Sequence, residues 1–111
     1  MKPAAHVVVS AAVGVAAYAA TRSPVLAGTA LAGGVLIDLD HLADFLILSG
    51  ERFSIRNFFS WCDDLRWERI CIVFHSVELL ALLALGAAWR GNDLLVGLTL
   101  GAGIHLLLDQ I

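Results

Sequence analysis

Clustered basic charge is missing from this sequence. Its seven lysines and arginines are scattered along the chain, so no run of them can neutralise a row of phosphates, and nucleic acid is excluded as a partner. Cysteine is scarce: Cys62 and Cys71 stand nine positions apart and form no CxxC pair. That spacing builds neither a disulfide framework nor a zinc ribbon, and both thiols read as reduced structural residues. The chain has no Ser-His-Asp nucleophile elbow, no phosphate-binding P-loop and no dinucleotide-binding glycine pattern. Internal repeats and low-complexity tails are absent as well. Charge of either sign is thin, at 15% of residues with a net of −3. The acidic part of it is concentrated, with Asp38, Asp40 and Asp44 around His41 in one short stretch.

The rest is apolar. Hydrophobic residues make up 59% of the 111 and the mean hydropathy is +0.84, against about 45–50% apolar residues in ordinary soluble domains. Four apolar segments follow one another, at Ala4–Ala20, Val25–Leu48, Ile70–Trp89 and Leu94–Leu108. Thr21-Arg22-Ser23-Pro24 and Arg90-Gly91-Asn92-Asp93 read as turns between them. The third segment matches the ~20 residues that span a ~30 Å hydrocarbon core. In the second, Gly33-Gly34 allows another helix to approach closely. These features predict an all-α fold: a membrane-embedded four-helix bundle in the lipid bilayer, forming a single domain over residues 1–111. A secretion signal is the competing reading of the first segment, because Lys2 precedes an apolar stretch that ends in small residues.

The long polar connection from Ser49 to Arg69 mixes charges with Phe53, Phe58, Phe59, Trp61 and Trp67. Rings interleaved with charges suit a short interfacial helix in the headgroup zone, or equally an amphipathic linker packed on the bundle. In an up-and-down bundle the N-terminus, this connection and the C-terminus share one side. That side holds Lys2, Arg52, Arg56, Arg66 and Arg69, five basic residues against Arg22 and Arg90 on the other. The positive-inside rule therefore orients the termini to the cytoplasm of an integral protein of the cell membrane.

The ionisable residues of the apolar segments fall at their ends: His6 opens the first, Asp38, Asp40, His41 and Asp44 close the second, His75 and Glu78 lie in the third, and His105 and Asp109 end the fourth. Alternating helices bring all four groups to the cytoplasmic end. Carboxylates cost about 2.5–3.5 kcal/mol each at the centre of a membrane helix and so face a partner or a cavity. His75 and Glu78 are spaced i,i+3 and His105 and Asp109 i,i+4, so each pair shares a helix face. Together these residues offer the nitrogen and oxygen donors that zinc or another first-row divalent ion accepts, and bundle metal sites are built this way. Individually, His6 also reads as a terminal or interfacial residue, Glu78 as the partner of an arginine, Asp109 as a solvated end, and Asp44 as an acceptor for a ligand imidazole. Asp38-Leu39-Asp40-His41 is the hardest to explain structurally, because a helix C-terminus favours basic residues.

His6, Asp38-Leu39-Asp40-His41 after a glycine-containing apolar helix, His75-Ser76 and Gly103-Ile104-His105-Leu106-Leu107-Leu108-Asp109 together resemble the YdjM-type family of membrane-bound metal-dependent hydrolases. The resemblance runs over nearly the whole chain. It implies kinship with zinc-dependent phospholipase C and zinc nucleases, and it implies His6, Asp38, Asp40, His41, His75, His105 and Asp109 as the metal-site residues. The family commonly places a histidine five residues before its His-Ser pair, where this chain has Ile70, and it usually continues beyond the last motif. Glu78 is the candidate replacement for the missing ligand.

The expected cofactor is a divalent metal, zinc or alternatively manganese. The expected activity is hydrolysis of an amphiphilic phosphoester, a lipid or a lipid-linked phosphate, with Asp38 or Asp40 bridging ions or accepting the proton of water. Two other readings stand beside it: a non-enzymatic membrane protein that binds or conducts an ion, and a soluble helical domain with an Ala/Leu-rich core.

Overall fold

The computed structural model describes residues 3–50, 52–63 and 76–109. His75, Ile70 and Cys71 lie outside them, as does the first part of the third apolar segment. The described residues form helices α1 (Pro3–Thr21), α2 (Pro24–Leu36), α3 (Leu39–Leu48), α4 (Ile55–Asp63), α5 (Val77–Arg90) and α6 (Asp93–Asp109), with no strand among them. The all-α expectation therefore holds. The four spans expected of a membrane bundle are not found: among the described residues α1 alone, over Ala4–Thr21, is long and apolar enough to cross a bilayer, a test that a secretion signal or the core helix of a soluble protein also passes.

Both expected turns have a local cause. Arg22 closes α1 in the left-handed region at φ 58°, its N–H donating to the Tyr18 carbonyl at 2.7 Å. Ser23 then caps α2, its hydroxyl accepting from the Leu26 N–H at 3.1 Å while Pro24 takes the first helical position. At the other hairpin Gly91 supplies the left-handed residue that ends α5, and the Asn92 side chain accepts from the Leu95 N–H at 2.9 Å to start α6.

The second apolar segment is not one helix. Its α-helical ladder tightens at the end, where the Asp38 N–H donates to the Val35 carbonyl at 3.1 Å, one residue short of α-helical register. The chain then restarts as α3. Asp38 and Asp40 thus stand at a helix N-terminus, where negative charge is favoured. This corrects the reading of the two carboxylates as sitting at a helix C-terminus, and with it the electrostatic objection to a structural role.

In space α1 packs on α2, α2 on α6 and α6 on α5, with α3 and α4 packed together beside them. The tightest seam is α2 against α6. Leu26, Ala30, Gly33 and Gly34 are the buried residues of α2, and Gly97, Gly101, Ala102 and His105 those of α6. These are small residues at helical spacing, which allow backbones to touch. A Cβ added at Gly101 would collide with the Ala30 carbonyl and stand 2.8 Å from the Gly34 nitrogen. Overpacking costs roughly 1–3 kcal/mol where side chains can yield, and backbone atoms cannot. Gly101→Leu is therefore expected to reach or exceed about 3 kcal/mol, read as a lowered thermal midpoint of the purified protein. A variant as stable as the parent would show that the seam is looser than described.

The connection after α3 does contain a helix. In α4, Trp61 is buried and joins Phe45 of α3 in an aromatic cluster, with ring centroids 5.6 Å apart and Phe58 5.7 Å from Phe45. This cluster fixes α4 beside the end of the bundle where α3 begins.

Candidate metal centre

Four of the predicted ligands are brought together from two helices and the α2–α3 turn. His6 comes from the first turns of α1, Asp38 from the turn, and His105 and Asp109 from the last turns of α6. One donor atom each from His6, His105 and Asp109 falls within 4.8 Å of the others. His6 Nε2 lies 3.1 Å from Asp109 Oδ1, and His105 Nε2 lies 3.5 Å from Asp109 Oδ2 and 3.3 Å from Asp38 Oδ1. His41 joins from α3, its Nε2 3.5 Å from the same Asp38 oxygen. The result is an alternating chain of nitrogen and oxygen: His6, Asp109, His105, Asp38, His41. Both carboxylates occupy bridging positions in it.

The orientation of His105 follows from the seam. Because the Asp38 N–H turns to Val35, the Gly34 carbonyl at the end of α2 is presented to α6, where His105 Nδ1 meets it at 2.7 Å. A carbonyl can only accept, so Nδ1 carries a proton, and Nε2 is left facing the two carboxylates. Metal-binding histidines are characteristically held like this, one nitrogen fixed by a carbonyl or carboxylate and the other directed at the ion. The His6 ring stacks on His105 with centroids 3.9 Å apart and 20° between planes. Two imidazolium charges so close would repel, so at most one of the two rings carries a charge.

Asp38 is placed as a ligand would be. It occupies the N-cap position of α3, where an aspartate ordinarily accepts from the first turn, yet its side chain makes no capping bond. Its Oδ1 is buried without a hydrogen bond, and so is Nδ1 of His6. Such groups are costly unless matched by opposite charge. The separations from His105 Nε2, 3.3 and 3.5 Å, are longer than the about 2.7–2.9 Å of a charge-assisted hydrogen bond. They match instead the about 3.3 Å between donors that share a tetrahedral ion through bonds of about 2.0–2.1 Å.

The remaining candidates are distributed differently. Asp40 and Asp44 are buried on α3, each with an interaction partner, and neither belongs to the His6, His105 and Asp109 group. Glu78 is exposed at the start of α5, accepting from the Ser76 hydroxyl at 2.7 Å, while that hydroxyl caps α5 through the Leu79 N–H. The expected His75 lies outside the described residues. Glu78→Gln keeps the acceptor oxygen for Ser76, so it should change stability by less than about 0.5 kcal/mol and leave the metal content of the purified protein as in the parent. A fall in metal content by half or more would bring Glu78 into the site.

Comparisons with protein-family models, with curated proteins and with solved structures return no match. The chemistry of the centre therefore rests on its donor set. The Gly34 carbonyl is the participant that sequence reasoning missed. Its signal was present in Gly33-Gly34, which announces a close helix contact but not which side chain makes it.

Proposed function

We propose that this chain is a membrane-embedded hydrolase that uses divalent metal, zinc or manganese, to cleave an amphiphilic phosphoester. The observation that carries the proposal is Asp38 Oδ1, a buried carboxylate oxygen without a hydrogen bond, 3.3 Å from Nε2 of a histidine whose other nitrogen is fixed on the Gly34 carbonyl. His6, Asp38, His41, His105 and Asp109 would hold the metal. A divalent ion supplies an acidified water, with pKa near ~7, and positive charge for the phosphoryl oxygens. Asp38 would accept, on the carboxylate oxygen that does not face His105, the proton that water loses on attack, and His105, held from behind by Gly34, keeps that carboxylate in register.

The membrane setting is supported by what the helices leave outside. In α5 no residue is buried, and Leu82, Leu85 and Trp89 are each at least 67% exposed. On α1, Val8 and Val15 are similarly open. An apolar exterior on both flanks of the bundle is what lipid contact requires and water disfavours. The metal centre lies at the end that carries the N-terminus and the α3–α4 connection, and the basic-residue count supports a cytoplasmic orientation of that end.

The test is metal analysis of the purified protein in lipid nanodiscs, with phosphoesterase assays before and after chelation. Stoichiometric zinc or manganese, loss of turnover on chelation and recovery on adding the ion back are expected. Stoichiometric metal with no turnover of lipid or soluble phosphoesters would move the assignment to a metal-binding membrane protein without catalysis.

A further inference from the structure

A cavity of about 170 Å³ opens beside the metal centre and is lined by Val7, Val35, Asp38, Leu39, Leu42, Phe58 and Phe59. Six of these seven residues are apolar, and the seventh is the carboxylate that faces His105 and His41. A larger cavity of about 240 Å³ lies between α2, α5 and α6, but its lining from Gly33 and Leu36 to Leu106 contains no residue of the centre. We infer that the smaller groove is the acyl-chain subsite for a bilayer glycerophospholipid whose phosphoester rests against Asp38. This rests on the hydrolase reading above and names its substrate class.

Three features of the groove argue for that occupant. Its mouth is continuous with the apolar exterior, since Val7 and Leu39 are both more than 40% exposed, so a lipid can enter sideways from the bilayer without crossing water. Asp38 is its one charged lining residue, so the boundary between hydrocarbon and polar atoms in the groove matches the boundary between tail and phosphoester in the ligand. And a centre built on Asp38 and Asp109 offers a free phosphate little attraction beyond the ion itself, so apolar burial, at about 25 cal/mol per Å², must supply much of the affinity. One wall belongs to α4, where Phe59 stands edge-on to Phe58 with centroids 5.6 Å apart and Phe58 is in turn anchored on Phe45. The aromatic cluster that docks α4 thereby sets the width of the groove.

The experiment uses the full chain in nanodiscs containing phosphatidylcholine with a photoactivatable diazirine midway along one acyl chain, and maps the adducts by mass spectrometry. The inference expects adducts at Leu42 and Phe59, reduced about tenfold in Leu42→Trp, a variant that fills the groove, and shifted in Phe59→Ala, which widens it. Metal content is measured on each variant as the report of an intact centre. In turnover, Leu42→Trp should lower the ratio of kcat/KM for long-chain over short-chain phosphoesters by a similar factor. Adducts in the unsubstituted protein confined to Leu82, Leu85 and Trp89, the ordinary lipid-facing positions, overturn the inference. So does a groove adduct that Leu42→Trp and Phe59→Ala both leave unchanged. Groove adducts without turnover of any phosphoester keep the lipid subsite and overturn the hydrolase reading instead.

Discussion

Replacing His105 with alanine is expected to strip the centre of metal and to destabilise the protein in the same step. The side chain is 2% exposed, and it is the middle member of the chain of donors, meeting Asp38 Oδ1 at 3.3 Å and Asp109 Oδ2 at 3.5 Å. Loss of an outer-shell partner alone typically lowers metal affinity about 10–100-fold. Removal of a nitrogen that both carboxylates face should exceed the upper end of that range. In the absence of metal the two carboxylates are left without the imidazole between them, and breaking a buried charged pair costs about 3–5 kcal/mol. The two effects separate in a thermal melt. Saturating metal stabilises a folded state that binds it, by about 2.7 kcal/mol at a hundred times the dissociation constant, so the parent should melt higher with zinc than with chelator. His105→Ala should melt low and show no difference between the two. Equal metal-induced shifts in parent and variant would remove His105 from the centre.

The convergence of the site was legible in the sequence because it follows from topology. Apolar segments that alternate in direction bring residues at the start of the first and the end of the last to one end, and His6 meets Asp109 at 3.1 Å on that account. The turns at Ser23-Pro24 and Gly91-Asn92 were legible because their residues act locally, through a capping hydroxyl, a fixed φ and a left-handed glycine. The break at Ile37 and Asp38 was not. No proline or glycine marks it, and Gly33-Gly34 lies earlier in α2. What ends α2 there is tertiary: the close seam with Gly97 and Gly101 delivers His105 to the Gly34 carbonyl, a contact that no local pattern encodes. The same limit applies to Glu78. At i,i+3 from His75 it looked like half of a ligand pair, but Ser76 sits two residues before it and offers a hydroxyl at 2.7 Å, so local capping claims the carboxylate.

Asp38→Asn is expected to separate binding from chemistry. The substitution keeps the shape of a side chain that lines the groove, faces His105 and His41, and leaves its capping role unused. It removes one negative charge and the proton acceptor. His6, His105 and Asp109 still supply three donors within 4.8 Å, so the variant should retain at least one ion of the parent's complement. Turnover, by contrast, should fall by about 10²–10⁴-fold, the usual contribution of a positioned general base, and the fall should appear in kcat with KM little changed, because the apolar wall of the groove is untouched. Asp40→Asn provides the comparison between the two aspartates of the motif. Asp40 is buried on α3 and does not belong to the group formed by His6, His105 and Asp109, so its loss should act first on stability, lowering the melting temperature by an amount that added metal does not restore. An Asp38→Asn protein with the parent's turnover would show that Asp38 is a structural carboxylate at a helix start. If Asp40→Asn instead lost kcat at unchanged stability, the proton acceptor would be the other aspartate, and the groove would deliver its substrate to a different edge of the same centre.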